Sequence, residues 1–168
     1  SPKARLVASA VSSLVAILLF KVWLDSLGII GVDTLLMFAP FGIMFTIFAT
    51  VGVVNAFNLI DGLNGLSSYV TVSVALSLSV IAFQAGNIQV SIFMVLSIAA
   101  VLGFMVLNFP MGKIFLGDGG AYALGHLLVW SAIILINSAS EVSAFAVLLV
   151  FFWPVADTCL ALWRRWKL

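Results

Sequence analysis

The chain has 168 residues, 64% of them hydrophobic and 8% charged, with a formal net charge of +1. A soluble domain is about half apolar and about a quarter charged, so a water-soluble fold is excluded and a polytopic integral membrane protein is expected. A single cysteine, Cys159, excludes an internal disulfide, the lone His126 cannot by itself make a histidine-based metal site, and nucleic acid is not among the expected partners.

A membrane-spanning helix needs about 20 mostly apolar residues. The first such run is 6–24, preceded by Lys3 and Arg5. It is too long for a signal peptide and lacks a clean small-residue cleavage pattern. Lys21 lies one turn before Asp25 and can snorkel to the interface. A short connection, 25–34, carries Asp25 and Asp33 and leads to the second run, 35–54. A polar stretch, 55–66, separates it from the third run, 67–84. Gly86, Asn87 and Gln89 mark the next turn, and a fourth run covers 91–108 until Pro110 stops it. A glycine-rich loop, 109–120, precedes the fifth run, 121–137, and residues 138–142 lead to the sixth, 143–163, which Pro154 is expected to kink. The expected fold is all-α, with about six transmembrane helices in one membrane-embedded domain over 1–168.

The connections alternate in charge. The segments 25–34, 85–90 and 138–142 hold no Lys or Arg, whereas the N-terminus, the loop 109–120 and the C-terminus hold every one except Lys21. By the positive-inside rule the basic set, with 55–66, is cytoplasmic. Three of the six acids, Asp61, Asp118 and Asp157, then lie on that face among basic segments, as a cation or proton-handling site would require.

In 55–66, Asn55, Asn58, Asp61 and Asn64 recur every third residue, with Gly62 and Gly65 between them. A three-residue spacing winds slowly around a helix, so one flat ligand would not meet all four. Glycines weaken the helix, so a helix end is expected here that opens into a loop and converges on a pocket. An ordinary Asn/Asp/Gly turn is the alternative. In the second loop, Asp118 stands before the fifth run with Gly117 and Gly119 beside it. It is placed to cap that helix, or to join a phosphate site at the helix N-terminus. A carboxylate beside a phosphate requires a cation between them, and Mg²⁺ is commonly held by one or two carboxylates plus substrate phosphates. Asp118, with Asp61, fits such a site. Asp157 is expected to pair with a base or a freed backbone amide, His126 to have a local partner, and Trp23, Trp153, Trp163 and Trp166 to sit in interfacial belts.

These residues carry a pattern that resembles the polyprenyl-phosphate N-acetylhexosamine-1-phosphate transferases, glycosyltransferase family 4, which includes MraY-like and WecA-like enzymes. Asn55, Asn58, Asp61, Gly62, Gly65 and Leu66 match one family loop. Asn108, Pro110, Phe115, Gly117, Asp118 and Gly120 match a second, and Pro154 with Asp157 matches a Pro-x-x-Asp that follows. The resemblance covers essentially the whole chain and is closer to the WecA-type branch.

The resemblance implies transfer of a sugar-1-phosphate from a UDP-N-acetylhexosamine to polyprenyl (undecaprenyl) phosphate, releasing UMP, at the start of cell-envelope polysaccharide synthesis. It implies Mg²⁺, or Mn²⁺ in its place, as cofactor. Asp118 would be the metal ligand and a catalytic residue, and Asp61 a catalytic residue beside the diphosphate. Asn55, Asn58, Asn64, Asn108 and Phe115 would bind substrate, with Phe115 stacking on uracil. The implied partners are the UDP-sugar nucleotide, the polyprenyl phosphate lipid, the membrane and a second copy in a homodimer. The implied location is the bacterial inner membrane, multi-pass, with the active site facing the cytoplasm.

Asn64 stands where many members have Asp, which suits nucleotide recognition and not a charge role. The family's Asp-Asp motif would precede Ser1 and its histidine motif would follow Leu168, so residues 1–168 are expected to be a central fragment, inactive alone. A transporter lined by Asp61, Asp118 and Asp157 is a competing reading, although transporters usually place acids near the midplane. A non-catalytic membrane scaffold is another, and it leaves both polar loops unexplained.

Overall fold

The structure, a computed structural model, describes residues 2–139 and 141–167, and all regular structure among them is helical. The helices are α1 (Pro2–Phe20), α2 (Val32–Leu36), α3 (Ala39–Ile60), α4 (Leu66–Gln84), α5 (Ile88–Asn108), α6 (Gly117–Ser138), α7 (Ala144–Val150) and α8 (Phe152–Trp166). Five of them, α1, α3, α4, α5 and α6, are long and apolar enough to cross a membrane, and α7 with α8 forms a pair bent by 69° that makes a sixth if counted as one span. The chain is an all-α, multi-pass membrane protein.

Several boundaries differ from the sequence expectation. The first span ends at Phe20, where Lys21 turns the chain with φ 56°. Ahead of the second span a separate five-residue helix, α2, forms instead of a plain loop. The second span runs on to Ile60, so Asn55 and Asn58 are helical and only Asp61 onward is loop. In the sixth span the break falls at Phe151, ahead of Pro154. Pro154 then sits in the first turn of α8, where its missing N–H has no intrahelical partner to lose.

The helix α3 is central. It packs against α1, α2, α6 and α8, while α4 pairs with α5 and also meets α6. Two clusters fill the interior. One gathers Phe57, Ile60, Leu78, Met94, Leu128, Leu135 and Phe151. The other gathers Ile17, Leu24, Val54, Val129, Trp130 and Ile133. Gly125 on α6 lets the two central helices close, because a Cβ there would lie 2.9 Å from the Val54 Cα and 3.3 Å from the Phe57 Cβ. Outward-facing Leu18, Phe48 and Val106 are widely exposed, as side chains meant for lipid would be.

The tryptophans divide. Trp153, Trp163 and Trp166 are exposed. Trp23 instead is half-buried against Gly42, its indole N–H buried without a partner among the described residues.

Candidate active site

The two polar loops meet at one end of the bundle. The Asn58 amide on α3 donates to Asp118 Oδ1 on α6 at 2.9 Å, across 60 residues of sequence. Asp118 Oδ2 pairs with the Arg5 guanidinium of α1, both side chains being 51% exposed. Three helices thus converge on one carboxylate. A cleft of about 350 Å³ opens beside it, lined by Arg5, Ser9, Ser12, Asp118, Tyr122 and His126, among others. In the sequence Arg5 reads only as a topology charge. Its place in the site had no signal in local spacing, because the contact joins the first and sixth helices.

Asp118 does not cap its helix. The N-cap of α6 is Leu116, with no side-chain cap bond, and Asp118 is the second helical residue. Its carboxylate still lies where the helix dipole favours negative charge.

Asn108 is buried and joins the loops. It accepts from the Gly65 backbone N–H at 2.7 Å and donates to the Ile114 carbonyl at 2.8 Å. Gly65, with φ +82°, turns the chain into α4 in a conformation that L side chains rarely adopt, and a Cβ there would meet the Phe109 ring at 2.9 Å. Asn64 is exposed, and its amide lies so near Gly112 that a Cβ at that glycine would be 2.6 Å from Nδ2. Asp61 accepts from the Ser67 hydroxyl at 2.6 Å, at the start of α4. Phe115, in the loop that leads to α6, is 74% exposed.

The expected convergence is therefore partial. Asn58 and Asp118 come together, with Arg5 added. Asn55 points elsewhere: its amide nitrogen donates to the Val51 carbonyl at 2.7 Å and its oxygen accepts from Tyr122 at 3.2 Å. Asp157 is exposed and its carboxylate makes no hydrogen bond or ion pair among the described residues, contrary to the expected pairing.

The donor set suits a loosely held divalent cation. No group of three or more His, Cys, Asp or Glu side chains converges among the described residues, which disfavours an all-protein cage. One half-exposed carboxylate could ligate a cation only with substrate phosphates and water completing the shell, as is common for Mg²⁺.

Comparison with known proteins identifies the family. The family model described as "Glycosyl transferase family 4" matches residues 1–136, from α1 through most of α6. A phospho-N-acetylmuramoyl-pentapeptide-transferase of Clostridium perfringens is 42% identical over 98 residues, which covers 58% of this chain and 31% of that protein. A probable undecaprenyl-phosphate N-acetylglucosaminyl 1-phosphate transferase of Bacillus subtilis is 35% identical over 121 residues, 71% of this chain and 34% of that protein. An undecaprenyl-phosphate alpha-N-acetylglucosaminyl 1-phosphate transferase of Escherichia coli is 28% identical over 170 residues, 98% of this chain and 46% of that protein. The chain spans about a third to a half of the length of these relatives.

Proposed function

This chain belongs to glycosyl transferase family 4, and from that premise we propose that the whole protein moves a sugar-1-phosphate from a UDP-N-acetylhexosamine to polyprenyl phosphate. An oxygen of the lipid phosphate forms a bond to the β-phosphorus of the nucleotide. The bond from that phosphorus to the bridging oxygen breaks, and UMP leaves with the oxygen. The products are UMP and a polyprenyl-diphosphate sugar. The site faces the cytoplasm at the bacterial inner membrane, since the loops that build it carry the basic side of the charge asymmetry. None of the relatives described above is a transporter.

The observation that carries this reading is the Asn58–Asp118 contact, which unites the two family loops on one carboxylate. Asp118, with Asn58 beside it, would hold Mg²⁺ or Mn²⁺. The bound cation supplies charge neutralisation where two anionic phosphates meet. Asn58 orients the Asp118 carboxylate. Arg5 adds a positive charge at the mouth of the cleft, where a diphosphate gains from it. Asp61 lies one turn beyond Asn58, beside the diphosphate. Phe115, exposed in the second loop, would offer a ring to the uracil, with Asn64 and Asn108 on the two loops that would frame the nucleotide.

In the whole protein, supplied with a UDP-N-acetylhexosamine, polyprenyl phosphate and Mg²⁺, release of UMP is expected. Asp118→Asn removes the one charge that faces the cleft from α6, and turnover should fall at least a hundredfold, the scale of losing a key electrostatic group. Wild-type turnover in Asp118→Asn would sink the metal assignment. No UMP release by the unaltered protein would sink the reaction.

A further inference from the structure

Asn55 and Tyr122 face each other across the seam between α3 and α6, and the reading above gives Tyr122 no task. Tyr122 stands one turn along α6 from Asp118, and Asn55 one turn back along α3 from Asn58. Residues three or four apart share a helix face, so the two pairs form successive rungs between antiparallel helices. The outer rung is Asn58 to Asp118 at 2.9 Å, and the inner rung is the Tyr122 hydroxyl donating to Asn55 Oδ1 at 3.2 Å. The outer rung lies in the open, where polar contacts are weak and water competes. The inner rung is partly buried, where the alternative to the bond is an unsatisfied polar group. The cleft lies between α1 and the first turns of α6, while α3 packs directly against α6.

We infer that Tyr122 is a positioning residue: through Asn55 it fixes the rotation of the first turns of α6, and so the direction in which Asp118 presents its carboxylate to the divalent cation. This rests on the transferase reading for the identity of the cation, although the brace itself does not depend on it. It also gives Asn55 a task other than touching substrate. The sequence holds the signal in retrospect: Asp118, Tyr122 and His126 stand at i, i+4 and i+8 on α6, and all three line the cleft.

The test uses the whole protein in detergent. Mg²⁺ binding is measured calorimetrically without nucleotide, and hydrogen–deuterium exchange is followed in segment 117–122. Tyr122→Phe and Asn55→Leu should each weaken Mg²⁺ binding by about two- to tenfold, the range of one hydrogen bond. Each should speed exchange in 117–122, and the double variant should be no worse than either single one. The nucleotide KM at saturating Mg²⁺ should stay at the wild-type value in both. A tyrosine that serves stability alone would lower the unfolding temperature and leave exchange in 117–122 in step with the rest of the chain, which overturns the inference. So does Asn55→Leu raising the nucleotide KM while Tyr122→Phe does not. Should Asn55→Leu fail to fold, Asn55→Ser replaces it, and Tyr122→Phe removes only one hydroxyl. Exchange needs no metal or substrate, so wild-type exchange in Tyr122→Phe overturns the inference by itself. A protein that lacks transferase activity yet shows the exchange effects would refute the transferase reading and leave the brace standing.

Discussion

Asp118 and Asp33 show two different uses of an aspartate in this chain. Asp118 is shared by an amide and a guanidinium in the open, so a cation can compete for it at small cost. Asp33 is committed to its own loop. It accepts from the Leu27 N–H at 2.7 Å, the Ser26 hydroxyl at 3.0 Å and the Gly28 N–H at 3.1 Å. These bonds, that from Leu27 first, favour the carboxylate and hold Asp33 below the usual aspartate range. Because the folded value is depressed, the loop gains from the ionised form at pH above the ordinary value and loses the gain as pH falls through the lowered one. In an NMR titration the Leu27 and Gly28 amides should therefore move with a midpoint below that of an ordinary aspartate. A midpoint at or above the ordinary value would refute this. At the residue scale the polar loop positions were legible because amides and acids at a membrane border need a reason. Their partners were not, since Arg5 and Tyr122 reach the site through helix packing that no local spacing encodes.

The elements themselves were read from apolar length, and that signal suffices for five spans because lipid demands helices of fixed reach. It fails where length is not the constraint. The five residues of α2 are too few to register, and they hold together around Asp33 rather than by apolar periodicity. The proline in the sixth span announced a break but not its place, since proline is tolerated in the first turn of the helix that follows. Pairing between spans uses small and polar groups. The hydroxyls of Ser79 on α4 and Ser91 on α5 lie 3.0 Å apart, a polar tie of the kind that joins membrane helices. Gly125 serves α3 and α6 through close approach. In Gly125→Ala the new methyl meets backbone, which cannot rotate away, so the helices must part. Unfolding by denaturing detergent should report a loss of about 1–3 kcal/mol. Unchanged stability would mean that the α3–α6 seam has slack.

For the molecule as a whole, charge asymmetry makes an orientation claim that labelling can check. With Cys159 changed to Ser, a cysteine placed at Thr34 should react with an impermeant maleimide added to intact cells. One placed at Lys113 should react only after the membrane is opened. Thr34 and Lys113 are both exposed, so a silent site cannot be blamed on burial. The reverse pattern would turn the protein over and place the candidate site on the wrong face for a nucleotide sugar.

Asn108 has a consequence for how ligands communicate. A single buried amide holds Gly65 of one loop and Ile114 of the other, so neither loop can drift alone. Whatever orders one loop lowers the remaining entropic cost of ordering the other, so two ligands that each hold one loop would raise each other's affinity by the same factor.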